Sequence, residues 1–186
     1  MSGFAPGTPI EVFGHALSGL ALAQAVRPDG APPRFWAITG ILAALAPDID
    51  AITFLIGGPA LFQAHHQYYT HNLVTFAIVP PLLGLVAHRL RPDASRLRVV
   101  SLVWGAWTLH LLGDTIASWP LRLFWPFSRN GVAFDLLRAD FSFVVPLLLL
   151  VGTGLSFVDD VAPHRRAIAA GTLLATAAYV VFGPGW

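Results

Sequence analysis

The chain has 186 residues, of which 55% are hydrophobic and 11% are charged, and its formal net charge is +1. Soluble domains carry about 25% charged residues, so this composition excludes an ordinary soluble fold, a disordered chain and a nucleic-acid-binding protein that relies on positive charge. The absence of cysteine excludes disulfides, iron–sulfur clusters and thiolate zinc sites. Lipid is the remaining solvent, and a helix needs about 20 apolar residues to cross it.

Six apolar segments, separated by proline, glycine and charged residues, predict an all-α, polytopic helical bundle that forms one domain over residues 1–186. Met1–Pro9 carries no positive charge, so we expect the first span to remain in the mature protein rather than to be removed as a signal peptide. The predicted spans are approximately Ile10–Val26, Phe35–Ile56, His71–Leu90, Leu97–Trp119, Phe141–Val158 and Arg166–Phe182.

The segment Trp119–Phe127, after the fourth span, is rich in aromatic residues and is interrupted by two prolines, Pro120 and Pro126. It is too short to span a membrane and too apolar for a free loop. We therefore predict an interfacial or re-entrant segment at headgroup depth. A simple aromatic belt and a wall of a lipid-facing pocket are both compatible with it.

All eleven basic residues are arginine, and their distribution predicts the orientation of the chain. Eight lie in or beside the loops that follow spans one, three and five, whereas Arg122, Arg129 and Arg138 follow span four. Because cytoplasmic loops are rich in arginine and lysine, we predict that both termini are extracytoplasmic. We expect most of these arginines to serve topology and contacts with lipid phosphates.

Eight ionisable side chains lie within or next to the apolar segments, where each is costly and by default indicates function. On the predicted topology, they occupy the extracytoplasmic ends of four different segments, so we expect them to converge. They are His15, Asp48, Asp50, His65, His66, His71, His110 and Asp114. His88 and His164 lie on the predicted cytoplasmic side and are not candidates.

The spacing within two of these groups predicts how the side chains point. His110 and Asp114 are four residues apart, on one helical face, where they can bind one cation or where the carboxylate can orient the imidazole. Asp48 and Asp50 would point to different sides of a regular helix. Pro47 predicts a break that could aim both inward, or let one bind while the other supports a neighbouring histidine. The alternative is a helix end at which Asp caps the next turn.

The run from His65 to Asn72 supplies three more histidines. We favour metal ligation for His66 and His71, solvent exposure for His65, and an N-cap role for Thr70 at the third span. Four imidazoles and three carboxylates without sulfur suit zinc, with manganese or iron as alternatives. Seven candidates exceed the four ligands of one zinc ion, which implies either two ions sharing carboxylates or one ion with supporting residues around its ligands.

The ordered set of these motifs between about Gly14 and Ser128 resembles the YdjM family of small bacterial and archaeal inner-membrane proteins, regarded as metal-dependent hydrolases. The motifs are a histidine in the first span, Pro47-Asp48-Ile49-Asp50, His66 through Thr70-His71, His110-Leu-Leu-Gly-Asp114 and Trp125-Pro126-Phe127-Ser128. The resemblance implies metal-site roles for His15, Asp48, Asp50, His66, His71, His110 and Asp114.

The chain departs from this family at Gln67, where an arginine is usual, and at Asn72, where a serine is common. If the usual arginine steadies a substrate phosphate, then Arg122 or Arg129 must replace it, or the substrate differs. The motif order is also similar to part of the zinc-dependent phospholipase C and P1 nuclease pattern. The later ligands of that pattern are missing here, so we expect at most two metal ions.

Together these observations predict a membrane-embedded, metal-dependent hydrolase that opens at the extracytoplasmic face of an inner membrane. A phospholipid or a lipid-linked phosphate is the expected substrate, and a metal-activated water is the expected nucleophile, with Asp48 or Asp50 as its base. A metal or proton transporter and a non-catalytic protein with a structural metal remain alternatives. We expect no nucleic-acid partner, and the sequence leaves the oligomeric state open.

Overall fold

A computed structural model describes residues 9–116, 120–134, 144–158 and 163–182. Within these ranges the regular structure is helical, residues 120–134 form turns, and an isolated bridge between Leu121 and Val132 is the only β pairing. The helices are α1 (Pro9–Val26), α2 (Pro33–Leu45), a 3-10 segment (Ala46–Ala51), α3 (Ile52–His65), α4 (Leu73–Leu90), α5 (Arg96–Ile116), α6 (Val144–Leu155) and α7 (Arg165–Phe182).

In the part of the chain that the structure describes, four helices are long and apolar enough to cross a membrane. They are the bent helix Pro33–His65, which joins α2 to α3 through the 3-10 segment, together with α4, α5 and α7. The helices at Val12–Val26 and Val144–Leu155 are apolar but shorter. The prediction of an all-helical membrane protein is therefore confirmed for the described residues, while the count of six spans stays a prediction. Residues 117–119 and 141–143, which we assigned to spans, lie outside the described residues.

Helix α1 contacts α2, α5, α6 and α7, so it lies at the centre of the bundle. Its contact with α2 is close because two glycines face each other there. A Cβ atom added to Gly19 would lie 2.3 Å from the carbonyl oxygen of Gly40, and the converse distance is the same. Small residues of this kind allow helix backbones to approach each other in membranes.

The predicted break at Pro47 is present as the 3-10 segment Ala46–Ala51. Residues two apart are separated by about 200° on an α-helix but by about 240° on a 3-10 helix, so the tighter winding brings Asp48 and Asp50 closer to a common side. Ile49, between them, is 69% exposed. Neither this segment nor α3, whose N-cap is Ala51, has a side-chain cap, so the capping alternative for the carboxylates is wrong.

Helical structure continues beyond the predicted end of the second span, Ile56, as far as His65. Gly57, Gly58 and Pro59, which follow the predicted end, form a kink inside the helix. Gly58 has a φ of +67°, which glycine adopts without a steric penalty, and the following proline disfavours the helical region at Gly58.

Helix α4 begins at Leu73, and its N-cap is Asn72, whose side-chain oxygen accepts a hydrogen bond of 2.9 Å from the Thr75 N–H. The prediction that Thr70 caps this helix was wrong. The Thr70 hydroxyl instead donates to Asp50, as described below.

Two arginines at the start of α7 contact the residues that follow the C-terminal end of α1. Arg165 is 5% exposed; it donates to the carboxylate of Asp29 and, at 2.7 Å, to the carbonyl of Arg27. Arg166 also donates to the carbonyl of Arg27. The hydrogen bond from Arg165 holds the pKa of Asp29 below its ordinary value.

Candidate metal centre

Four side chains from three parts of the chain bring one ligand-type atom each to a common centre. His71 Nε2 and His110 Nε2 are 3.0 Å apart, and each lies 3.5 Å from Asp48 Oδ1. Asp114 Oδ2 lies 3.2 Å from His71 Nε2 and 3.3 Å from His110 Nε2. A zinc ion with four ligands at about 2.0–2.1 Å would separate its ligand atoms by about 3.3–3.4 Å. In each of the two trios, His71 and His110 with Asp48 or with Asp114, the separations are therefore close to those around one tetrahedral ion.

The hydrogen bonds on the far side of both rings determine which nitrogen carries the proton. His110 Nδ1 lies 2.6 Å from the carbonyl oxygen of Ala44, which only accepts, so Nδ1 donates. The Thr70 hydroxyl donates its proton to Asp50 Oδ2 at 2.8 Å, so it accepts from His71 Nδ1, also at 2.8 Å. In the neutral rings, both Nε2 atoms then carry lone pairs that face each other. Metal-binding histidines are commonly oriented in this way.

The buried carboxylate of Asp114 gives a second indication of a cation. Its Oδ2 atom is buried and accepts no hydrogen bond from any described residue. A buried, unpartnered carboxylate oxygen is costly, since water no longer solvates it. A cation at the centre would satisfy this oxygen together with the two facing lone pairs.

His15 packs on one side of the centre, where it contacts Asp114. His15 Nε2 lies 3.0 Å from Asp114 Oδ1, and the His15 ring stacks on the His110 ring with 3.9 Å between centroids. Gly113 leaves room for this stack, because a Cβ atom added there would lie 3.1 Å from His15 Cε1. His15 therefore either orients Asp114 or completes a metal site with His110 and Asp114, whose ligand-type atoms also lie close together.

Asp50 lies next to the centre and accepts three hydrogen bonds. His66 Nδ1 donates to its Oδ1 at 2.8 Å, while the Gln67 N–H and the Thr70 hydroxyl donate to its Oδ2, each at 2.8 Å. Asp50 thus fixes the loop that carries His71. Asp48, Asp50 and His66 also form a group whose ligand-type atoms lie close enough for a second ion.

The structure therefore brings together all seven residues proposed as metal ligands, from α1, the 3-10 segment, the loop before α4 and the end of α5. His65 lies apart: it ends α3, is partly buried, and stacks on Tyr69 with 6.0 Å between centroids. Thr70 and Gly113, which shape the site, were not identified as site residues from sequence. Their positions next to His71 and Asp114 were the only signal. The contact of His110 with the carbonyl of Ala44 could not be predicted from sequence, because every residue has a backbone carbonyl.

The family model of the YdjM inner membrane proteins matches residues 10–184. The chain belongs to this family. Its membership and its apolar helices together identify a membrane protein. No curated protein and no solved structure matches the chain, so the similarity to phospholipase C and P1 nuclease stays a prediction from sequence.

Gln67, in the loop before α4, has an uncommon backbone conformation. Its φ is +67°, in the left-handed region that residues other than glycine seldom adopt. In this conformation its N–H reaches Asp50. Strained residues of this kind persist when the surrounding structure holds them, and they are frequent at functional sites.

Proposed function

We propose that this protein is a metal-dependent hydrolase embedded in the inner membrane, acting on an ester or phosphoester of a phospholipid or lipid-linked substrate. The observation that carries the proposal is the pair of facing Nε2 atoms of His71 and His110, 3.0 Å apart, with Asp48 and Asp114 beside them. The hydrogen bonds made by both Nδ1 atoms leave a lone pair on each Nε2 of the neutral rings. Such an arrangement is repulsive when empty and favourable around a cation.

Zinc is the proposed metal because two imidazole nitrogens and two carboxylate oxygens meet here, and the N–N and N–O separations are 3.0–3.5 Å. Two carboxylates also neutralise a divalent cation, as a site inside apolar surroundings requires. Manganese and iron accept the same ligands. We propose one ion at the four-residue centre, with Asp50 and His66 as supporting residues, and a second ion at Asp48, Asp50 and His66 as the alternative.

A bound divalent cation would supply Lewis acidity and make a water molecule more acidic. Among the four residues of the centre, the side chain of Asp48 is the most accessible, at 24%, whereas those of His71 and His110 are fully buried. Its Oδ1 faces the imidazoles, which leaves Oδ2 to accept a proton from water. Asp50 already accepts three hydrogen bonds, so we assign the base to Asp48 and a positioning role to Asp50.

A lipid substrate is supported by the apolar surface around Asp48. Ile49, Ile52, Leu55 and Ile56 are between 54% and 83% exposed. In a membrane protein these side chains face acyl chains, so an ester at headgroup depth can approach Asp48 without leaving the bilayer. The distribution of arginine among the loops leads us to propose six spans, with both termini and the site at the extracytoplasmic face.

The test combines metal analysis with an assay on phospholipid and lipid-phosphate substrates in mixed micelles. We expect the purified protein to contain stoichiometric metal and to release product in a metal-dependent way. His110→Ala should lose both properties, and His164→Ala, at an exposed histidine remote from the centre, should keep them. Circular dichroism checks that each variant is folded. Wild-type protein without metal, or full hydrolysis by folded His110→Ala, contradicts the proposal.

A transporter uses the same residue types, so flux must be measured as well. Liposomes containing the protein should show no metal or proton flux above protein-free liposomes. Flux that Asp114→Asn abolishes, without any hydrolysis, would replace the hydrolase by a transporter. Chelation that unfolds the protein, when no hydrolysis is found, would indicate a structural metal.

A further inference from the structure

The segment 120–134 packs against the end of the bundle that carries the metal centre. Leu121 is fully buried against Trp107 and Leu111, close to His110 in α5. Leu121 and Val132 exchange two backbone hydrogen bonds of 3.0 and 2.8 Å, and the Leu73 N–H donates to the carbonyl of Leu123 at 2.9 Å. The backbone on both sides of residue 122 is therefore fixed.

This fixed backbone places the side chain of Arg122 on the loop that carries the metal-site histidines. The guanidinium carbon of Arg122 lies 3.7 Å from the centroid of the Tyr68 ring. Tyr68 is itself held in the loop, because Asn72 Nδ2 donates to its carbonyl at 3.0 Å. Tyr69 makes a further edge contact with Trp125, with 5.3 Å between ring centroids. Two successive residues of the loop thus contact the 120–134 segment.

Stacking on an aromatic ring uses the face of a guanidinium group and leaves its edge available. That edge carries N–H donors in a planar fork, which matches two oxygens of a phosphate. Arginine also keeps its charge at every physiological pH. A stacked arginine is therefore a preformed anion-binding group, since stacking has already restricted its side chain.

We propose that Arg122, held by Tyr68, binds the phosphate group of the substrate beside the metal centre. The inference rests on the proposed function and narrows it from esters in general to phosphoesters. The phosphate can belong to a phospholipid headgroup or to a water-soluble phosphate ester, and the experiment distinguishes the two.

The first experiment measures binding to metal-loaded protein in detergent by calorimetry. The probes are inorganic phosphate, a short-chain phosphonolipid and a neutral short-chain diacylglycerol. Arg122→Gln should weaken binding of the phosphonolipid by about tenfold or more, as expected for a lost charged hydrogen bond, and leave diacylglycerol binding unchanged. Arg122→Lys should recover part of the loss. The matched control is Arg129→Gln, which changes an exposed arginine of the same segment.

The outcomes separate the two phosphate sources. Loss of phosphonolipid binding in Arg122→Gln supports the inference with a lipid phosphate, and loss of inorganic phosphate binding alone supports it with a soluble one. Equal binding of both probes by wild type, Arg122→Gln and Arg129→Gln overturns it. Metal content, measured on the same samples, should not differ between these variants.

A kinetic measurement tests the role of Tyr68 as a positioning residue. Tyr68→Leu removes the ring, so we expect a higher KM with little change in kcat, whereas Tyr68→Phe keeps the ring and should resemble wild type. Metal-dependent hydrolysis with an unchanged KM in both Arg122→Gln and Tyr68→Leu overturns the inference and leaves the hydrolase intact. If no hydrolysis is found but Arg122→Gln still loses phosphate binding, the inference stands and the proposed function fails.

Discussion

Thr70→Val tests the hydrogen-bond chain that orients His71. The Thr70 hydroxyl accepts from His71 Nδ1 and donates to Asp50 Oδ2, each at 2.8 Å. Valine has nearly the same shape but cannot accept, so the proton of the neutral imidazole is free to move to Nε2. The lone pair that faces the centre is then lost. Removal of a partner of this kind lowers metal affinity by about 10–100-fold, which corresponds to about 1.4–2.7 kcal/mol.

The assay is competition for zinc against a chelating indicator, at several indicator concentrations, on protein in detergent. Thr108→Val is the matched control, because its hydroxyl donates to the carbonyl of Trp104 on α5, away from the centre. We expect wild-type affinity from the control and a loss of one to two orders of magnitude from Thr70→Val. If Thr70→Val binds zinc as tightly as the control, while Asp114→Asn does not, the tautomer argument is wrong.

Three further predictions concern packing and pH. Gly19→Ala places a Cβ atom 2.3 Å from a backbone oxygen of α2 and should lower the stability in detergent by about 1–3 kcal/mol or more, as overpacking does. The control Gly14→Ala, with no neighbouring atom within 4 Å, should leave the stability unchanged. Equal thermal midpoints of the two variants would contradict the close packing of α1 on α2. Gly113→Ala should displace the stacked imidazole by a few tenths of an ångström and weaken zinc binding while the helix content, measured by circular dichroism, stays unchanged. Arg165 lowers the pKa of Asp29, so this pair stabilises the fold fully above the ordinary carboxyl pKa of about 3.9 and less as pH falls through the lowered pKa. The difference in thermal midpoint between wild type and Asp29→Asn should therefore shrink towards pH 3. A difference that stays constant with pH would contradict this role of the pair.

The sequence predicts the convergence of polar residues because their positions follow from simple geometry. A four-residue spacing puts His110 and Asp114 on one face of any α-helix, and Pro47 disrupts regular helix whatever surrounds it. These local rules hold in the structure, where His110 Nε2 lies 3.3 Å from Asp114 Oδ2 and a 3-10 segment begins at Ala46. The composition likewise predicts helices in lipid, since an apolar chain has few other ways to pair its backbone groups.

Local rules fail where a distant residue competes for the same group. Thr70 has the side chain of an N-cap, but Asp50, 20 residues earlier, accepts its proton, and Asn72 caps the helix instead. The Gly57-Gly58-Pro59 pattern is typical of a loop, yet helical structure resumes after it and reaches His65. The contact between Arg122 and Tyr68 joins residues that are far apart in the chain, and the pattern of neither segment indicates it.

The metal ion that we propose would balance the charge of the four-residue centre better than protons would. Asp48 and Asp114 bring two negative charges among apolar helices, and two protonated imidazoles would balance them. However, His71 Nε2 and His110 Nε2 point towards each other at 3.0 Å, so only one proton fits between them. Asp114 Oδ2, although 3.2 and 3.3 Å from these nitrogens, accepts no hydrogen bond from the described residues, so neither N–H can turn to it. One proton leaves the centre with an excess negative charge and a bare oxygen, whereas one divalent ion would balance both carboxylates and bind both facing nitrogens.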